Sequence, residues 1–466
     1  MANELEFPNP NDANDVVKAF ARNPAFQAAE WEELTTEGNP FRRPVRPDDL
    51  AWLDYSKPMP VHKALRLSAL LGHRMLRNIY DTDLLFIAPD ANPDAERNRH
   101  EFYAERNRSL GALARPVLER HLFTYRESER EPWDGGGLET LRREVGEYWD
   151  RRAEEPGAAF DAVLRTKGRR EATTFLLLQL TASVPARQSA TARAGIGEYA
   201  VAHPRLRELL VEDYLRWVRA AGSYRELLAD ANLVPTEGAY WQLYLSTSLA
   251  RANHLHFLAN NHERLGEFLG ALVHKWIDDH VSRPRLAEVC ADGVNSSGRF
   301  FTEWAQPAIT DPRELLTELV GPLADIHGAG IWEAVHRGFV DAVWFTDLWH
   351  RDLAEQVTWA DKIEEYQEKA EKLDQIITNE NIEVDLDTFV ESEEETSTTH
   401  VHDDHRLVMV EVGQMHFWNN VTHKIQLNQG DKLLIPESRL HGSTVLSGTC
   451  TYHQPIIPDD MLRQVS

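Results

Sequence analysis

The chain changes its periodicity once, near residue 376, and that change limits what it can fold into. Before it, apolar residues recur every three to four positions. VHKALRLSALLGHRMLRNIYDTDLLF (61–86), LETLRREVGEYWDRRAEE (138–155) and the stretch 240–277 all keep that spacing. It puts the apolar side chains on one face of a helix. KIEEYQEKAEKLDQI (362–376) continues as a charged helix with Glu365–Lys369 and Glu368–Lys372 pairs one turn apart. After it, IEVDLDTFV (382–390) alternates. RLVMVEV, MHFW, HKIQL, DKLLI, STVL and CTYHQ then follow as short β-branched or aromatic runs between turn residues. The acidic stretch ESEEETST (391–398) reads as a solvated linker. The pattern predicts a multidomain chain: an all-α N-terminal domain (1–132), a helical bundle (133–376) and a small all-β domain (377–466). The triple glycine at 135–137 marks the first boundary.

A length of 466 residues is itself more than one core ordinarily serves. The net charge of −25 repels phosphate backbones and anionic lipids, so neither nucleic acid nor a membrane is an expected partner. The two cysteines, Cys290 and Cys450, supply neither a disulfide framework nor a thiolate metal cluster. That usage fits a reducing cytoplasm. The acidic N-terminus lacks the apolar core of a signal peptide, and the longest apolar runs are too short to span a bilayer.

Twenty histidines need sorting by geometry. His254 and His256 lie in a helical pattern, where i and i+2 point about 200° apart, so they cannot share an ion. His274 and His280 are a poor helical pair, and Asp347 with His350 has no second pair nearby in sequence. His400 and His402 differ, because i and i+2 on a strand leave the same face. A third imidazole comes from GDKLLIPESRLH (430–441), where a turn at Gly430-Asp431 leads into a strand and on to His441. Three histidines on one face suit a borderline transition ion and leave coordination positions open. Arg406 occupies the position four residues after His402 where a carboxylate ligand is expected. By strand parity it faces inward, towards a substrate carboxylate or an acidic neighbour. Glu411 faces the opposite way on a regular strand and does not replace it. Tyr452 and His453, on the closing strand, are candidates to orient ligand or substrate.

These two segments resemble the two cupin motifs. His400-Val-His402, Arg406 and Gly413 keep the register of the first, with arginine for its glutamate. Gly430, Pro436, Ser438 and His441 keep the register of the second, with serine for its second glycine. Most of the chain, moreover, resembles the nitrosourea synthases, three-domain N-nitrosating enzymes. The matching stretches are RNPAFQ (22–27), NPFRRPVRPDDL (39–50), LDYSK (53–57), YDTDLLFIAP (80–89), YWQLYLSTSL (240–249), NNHE (260–263), EQVTWAD (355–361), THVHD (399–403) and SRLHG (438–442).

That resemblance implies a helical first domain that helps form a homodimer, a heme-oxygenase-like bundle and a C-terminal cupin barrel. In the family the bundle holds two irons and hydroxylates guanidine nitrogens. The cupin holds one Fe(II) on three histidines without the usual glutamate. It uses O2 to rearrange the hydroxylated guanidine into an N-nitroso product. The cupin ligands carry over onto His400, His402 and His441, and a tyrosine close to the iron onto Tyr452. The diiron ligands do not carry over. They fall on Arg187, Asp213 with Glu212 beside it, Ser223 and Trp276. The expected HxxxDxxH helix reads WAQPAITDPRE (304–314), with prolines inside it. A bundle without its diiron site is therefore expected, with a mononuclear iron cupin oxygenase acting on a small N-hydroxylated guanidine or amino-acid derivative. A cupin dioxygenase for another small metabolite, a non-catalytic binding homologue, and a relocated diiron site using Glu212, Asp213, Asp278 or His280 are the alternatives.

Overall fold

The computed structural model describes residues 8–23, 45, 47–198, 204–236, 238–304, 311–393, 397–418, 424–446 and 448–465. Everything described between Ala13 and Asn379 is helix or the loops that join helices. No helix among the described residues is long and apolar enough to cross a membrane.

Helix starts follow local chemistry. The side chain of Asp311 accepts the Arg313 amide, and Pro312 takes the first helical position of Pro312–His327. The second proline of WAQPAITDPRE thus opens a helix instead of breaking one, while residues 305–310, including Pro307, lie outside the described residues. The stretch 240–277, uniform in its apolar spacing, divides into Ser246–Asn260 and Leu265–Val294. Asn261 explains the break: its side-chain amide donates to the Phe257 carbonyl at 2.7 Å, closing the last turn of the first helix.

One apolar cluster joins Val17, Phe20, Leu76 and Leu118 to Leu141, Leu269, Leu272 and Phe345, drawing on both sides of the triple glycine. A second packs Leu176, Leu228, Trp241 and Trp349 against Val401, Trp418 and Leu440 of the β region.

Among the described residues the β region has eight strands: β1 Thr388–Ser392, β2 His405–Val412, β3 Gln414–Trp418, β4 Lys424–Asn428, β5 Lys432–Ile435, β6 Gly442–Val445, β7 Thr449–His453 and β8 Ile456–Ile457. They form two antiparallel sheets, ordered β1-β7-β2-β5 with β8 also beside β2, and β4-β3-β6. The two sheets share one interior of Val408, Val410, Met415, Phe417, Ile435 and Tyr452. Alternation along β2 sends Val408 and Val410 inward and Leu407 outward, where it packs with Leu434 against Ala370 and Leu373 of the helix Ile363–Asn379. Trp359, near the end of the helix Gly330–Asp361, belongs to the same interior as Val408, so one helix serves both the bundle and the β domain. This is the expected order of helical domains followed by a small cupin-like domain.

Two sequence expectations need correction. Only Thr388 onward of IEVDLDTFV is strand, and β1 runs on through Glu391 and Ser392. Those two residues pair with Cys450 and Thr449, so they are not linker.

Candidate metal centre

His400 and His441 lie opposite each other in an isolated antiparallel bridge. The His400 amide donates to the His441 carbonyl at 3.0 Å and the His441 amide to the His400 carbonyl at 3.1 Å. His402 follows in extended chain, and its carbonyl accepts the Ser438 amide at 2.9 Å. The HxH pair therefore precedes β2 instead of lying within it. Ser438, in the place of the motif's second glycine, keeps a left-handed φ of 64°.

The three imidazoles converge. Their ring centroids are 4.6 Å (His400–His441), 4.8 Å (His400–His402) and 5.0 Å (His402–His441) apart. One nitrogen from each lies within 4.8 Å of the others, a spacing that can hold a single ion. Among the described residues this is the only such group of three. Nδ1 of His400 lies 2.8 Å from the Thr398 carbonyl and Nδ1 of His441 lies 2.9 Å from the Arg439 carbonyl. A carbonyl only accepts, so each Nδ1 carries the proton and each Nε2 keeps its lone pair. Nε2 of His402 and of His441 are buried with no hydrogen-bond partner. Orphaned buried acceptors are costly, and a metal ion resolves them. Burial holds both rings neutral, pushing His441 down to about 3 and His402 well below the usual histidine range. Neutral imidazole is the form that ligates. The donor set fits one transition ion.

The helical region fixes both ligand segments. Arg74, itself buried, donates to the Thr399 carbonyl at 2.8 Å and to its hydroxyl at 2.9 Å. The Gln242 side-chain oxygen accepts the Thr399 amide at 3.1 Å. Arg66 donates to the Asp403 carbonyl and to Glu437, both at 2.6 Å. Arg439 reaches the Asp352 carbonyl and Glu355 at 3.1 and 2.8 Å. Sequence reasoning missed these residues because nothing local distinguishes them.

The other expected site residues separate. Arg406 faces inward, and its charge adds to the depression of His402, after burial and the other two histidines. Its Nη1 donates to Asp387 at 3.1 Å and to the Gln454 carbonyl at 3.0 Å, so the acidic neighbour is present in the fold. Tyr452 lies in the interior, stacked on Phe389 with centroids 5.2 Å apart, and donates to Glu391 at 2.9 Å. His453 lies on the other face of β7, 2.9 Å from the Thr388 hydroxyl and 3.4 Å from Glu411, away from the interior. Glu391 shares Phe389's inward parity, and carrying the alternation of IEVDLDTFV past Val390 into the acidic stretch locates it.

In the bundle, Asp213 accepts from Lys275 at 2.8 Å and from Trp276 Nε1 at 3.2 Å. Arg187 contacts Asp279 and Asp278 at 3.3 and 3.7 Å. The Ser223 hydroxyl donates to the Ala220 carbonyl. His254 and His256 are both buried on different faces, against Phe345 and Tyr80 respectively, with centroids 4.8 and 5.0 Å apart. His274 accompanies Tyr148, His280 stacks on Trp149, and His350 lies 2.7 Å from Arg152.

Fold and site together define a class: a long helical region that carries a cupin-like β domain with three converging histidines. No family model matches the chain. Its sequence is 26% identical over 453 residues to the nitrosourea synthase of Streptomyces achromogenes subsp. streptozoticus, covering 95% of this chain and 94% of that enzyme. Similarity that runs the length of both chains is that of a homologue, and it supports an enzyme.

Proposed function

We propose that the chain is a mononuclear iron cupin oxygenase that uses O2 to form an N–N bond in a small N-hydroxylated guanidine or amino-acid derivative, in natural-product biosynthesis. The observation that carries this reading is the convergence of His400, His402 and His441 with two buried Nε2 atoms left orphaned. The full-length similarity to a nitrosourea synthase supports the reaction type. When bound, Fe(II) on three neutral imidazoles supplies open coordination positions and one-electron chemistry towards O2.

The protein's own residues supply position and electrostatics. The Thr398 and Arg439 carbonyls lock the tautomers of His400 and His441. Trp359, Val410 and Phe417 keep the β interior apolar and short of water. Glu391 and Tyr452 place an anionic acceptor beside a phenol in that interior, which suits a cationic guanidine. Burial and the neighbouring Glu391 carboxylate hold the Tyr452 phenol well above the usual tyrosine range, so it stays protonated and donates a hydrogen bond.

The bundle is read as lacking the N-hydroxylating metal site, with a separate hydroxylase supplying the substrate. The protein is taken to work as a homodimer.

The test is anaerobic Fe(II) loading of the full chain, then O2 with a panel of N-hydroxylated guanidines and amino acids. One iron per chain, lost in His402→Ala, and an N-nitroso product by mass spectrometry are expected. Three irons per chain would return the bundle to service. Iron bound but no N–N product from any substrate would leave a cupin oxygenase of different specificity. No iron bound would leave a binding homologue.

A further inference from the structure

The bundle interior carries more positive than negative charge. Arg152, Arg187, Arg251 and Lys275 face Asp213, Asp278 and Asp279, and none of these seven residues is more than 7% exposed. Asp278 is shared by three guanidinium groups: Arg251 at 2.5 Å, Arg152 at 3.5 Å and Arg187 at 3.7 Å. Lys275 divides itself between Asp213 at 2.8 Å and Asp279 at 3.4 Å. Arg216 adds a guanidinium on Asp213 at 3.3 Å, and Asp347 adds a carboxylate within electrostatic reach of Arg152, so five cations against four carboxylates leave one positive charge over. The histidines among them do not add to it, since burial holds His274 and His350 neutral. An adjoining carboxylate, Asp341, is itself shared by Arg126 and Arg130. A buried unpaired charge is among the most costly features a core can hold.

The excess sits around a cavity. Arg187, Arg251 and Lys275 line it with His254, His274 and Phe345, and its free volume of about 20 Å³ suits one particle of roughly water to halide size. The shortest approaches of Arg187 to a carboxylate are from Nη1, 3.3 Å to Asp279 and 3.7 Å to Asp278, both longer than the 2.5 Å contact of Arg251 to Asp278. It is 5% exposed and lines the cavity, where its five guanidinium N–H donors face two long carboxylate contacts.

We infer that this cavity binds a single monovalent anion of halide size, held by Arg187, Arg251 and Lys275. The anion completes the charge balance in the region where the related enzymes' metal ligands are expected, with cations now facing inward. Its function is to stabilise the bundle against which the β domain is clamped. The inference stands whether or not the β domain forms N–N bonds.

Two measurements on the full chain test it. Crystals soaked in sodium bromide, measured at the bromine absorption edge, should show an anomalous peak within the cavity. A cavity without a peak, with bromide only at surface positions (an adventitious ion only), overturns the proposal. In solution, Tm in sodium chloride should exceed Tm in sodium gluconate of equal ionic strength by about 2 °C, rising saturably with chloride. Arg187→Gln, which removes the surplus cation, should abolish that difference. Equal Tm values for the unmodified protein in the two salts overturn the proposal, and so does an undiminished halide effect in folded Arg187→Gln. If that variant does not fold, the bromide measurement on the unmodified protein decides.

Discussion

Gln356 and Leu440 exchange two hydrogen bonds: the Gln356 amide donates to the Leu440 carbonyl at 2.8 Å, and its side-chain oxygen accepts the Leu440 amide at 3.0 Å. One side chain of the helix Gly330–Asp361 thus satisfies both backbone groups of the residue before His441. Gln356→Ala leaves two buried backbone groups without partners, at a cost of about 2–3 kcal/mol. The segment that presents His441 loosens, and metal affinity should fall about 10-fold while the helical content stays. Metal titration beside circular dichroism checks this. Unchanged affinity would mean that the barrel alone positions His441.

The Tyr452–Glu391 bond lies in the β interior, where loss of a donor costs more than at the surface. Tyr452→Phe should cost about 1–2 kcal/mol in denaturant unfolding. Adding Glu391→Gln should recover part of that loss, because the two groups interact and their effects do not add. Strict additivity in the double-mutant cycle would show that the bond contributes nothing.

Arg406 is already engaged by Asp387 and the Gln454 carbonyl. Arg406→Gln should therefore lower stability by about 1 kcal/mol and leave metal stoichiometry and KM unchanged. A raised KM with unchanged stability would instead place Arg406 on the substrate.

Acid should unfold the protein by a defined route. Burial pushes His73 and His274 down to about 3 and His254 to about 4. The unfolded chain takes up a proton at each near pH 6.5, whereas the folded chain resists until much lower. Their contribution to stability is therefore complete above pH 6.5 and is lost as pH falls towards 4 and then 3. Urea midpoints should drop between pH 7 and pH 5. His254→Phe, among Phe123 and Phe345, should shallow that drop by about one proton. A parallel pH profile in the variant would refute this assignment.

Much of the site was legible because its signal is local. The i,i+2 spacing of His400 and His402, and the turn–strand–histidine run ending at His441, hold within a dozen residues each. Periodicity likewise separated helices from strands. It failed where a single side chain decides the outcome, as at Asn261, whose cap ends a helix inside an unbroken apolar pattern. It also failed at Glu391, where acidic composition suggested linker but pairing with Cys450 made strand. Tyr452 and His453 share the closing strand, yet adjacent residues on a strand face opposite ways, and His453 points to Glu411 away from the interior.

The sequence by itself determined the order of helical and β regions, the three imidazoles and the missing carboxylate at Arg406. These depend on spacing within one element, which local backbone geometry translates directly into a shared face. Only the tertiary structure decided what holds those imidazoles in place and where the buried charges lie. Arg74 meets Thr399 across 325 residues and Gln356 meets Leu440 across 84. Such contacts leave no periodic trace, because any arginine or glutamine at those positions looks like surface until the fold closes over it.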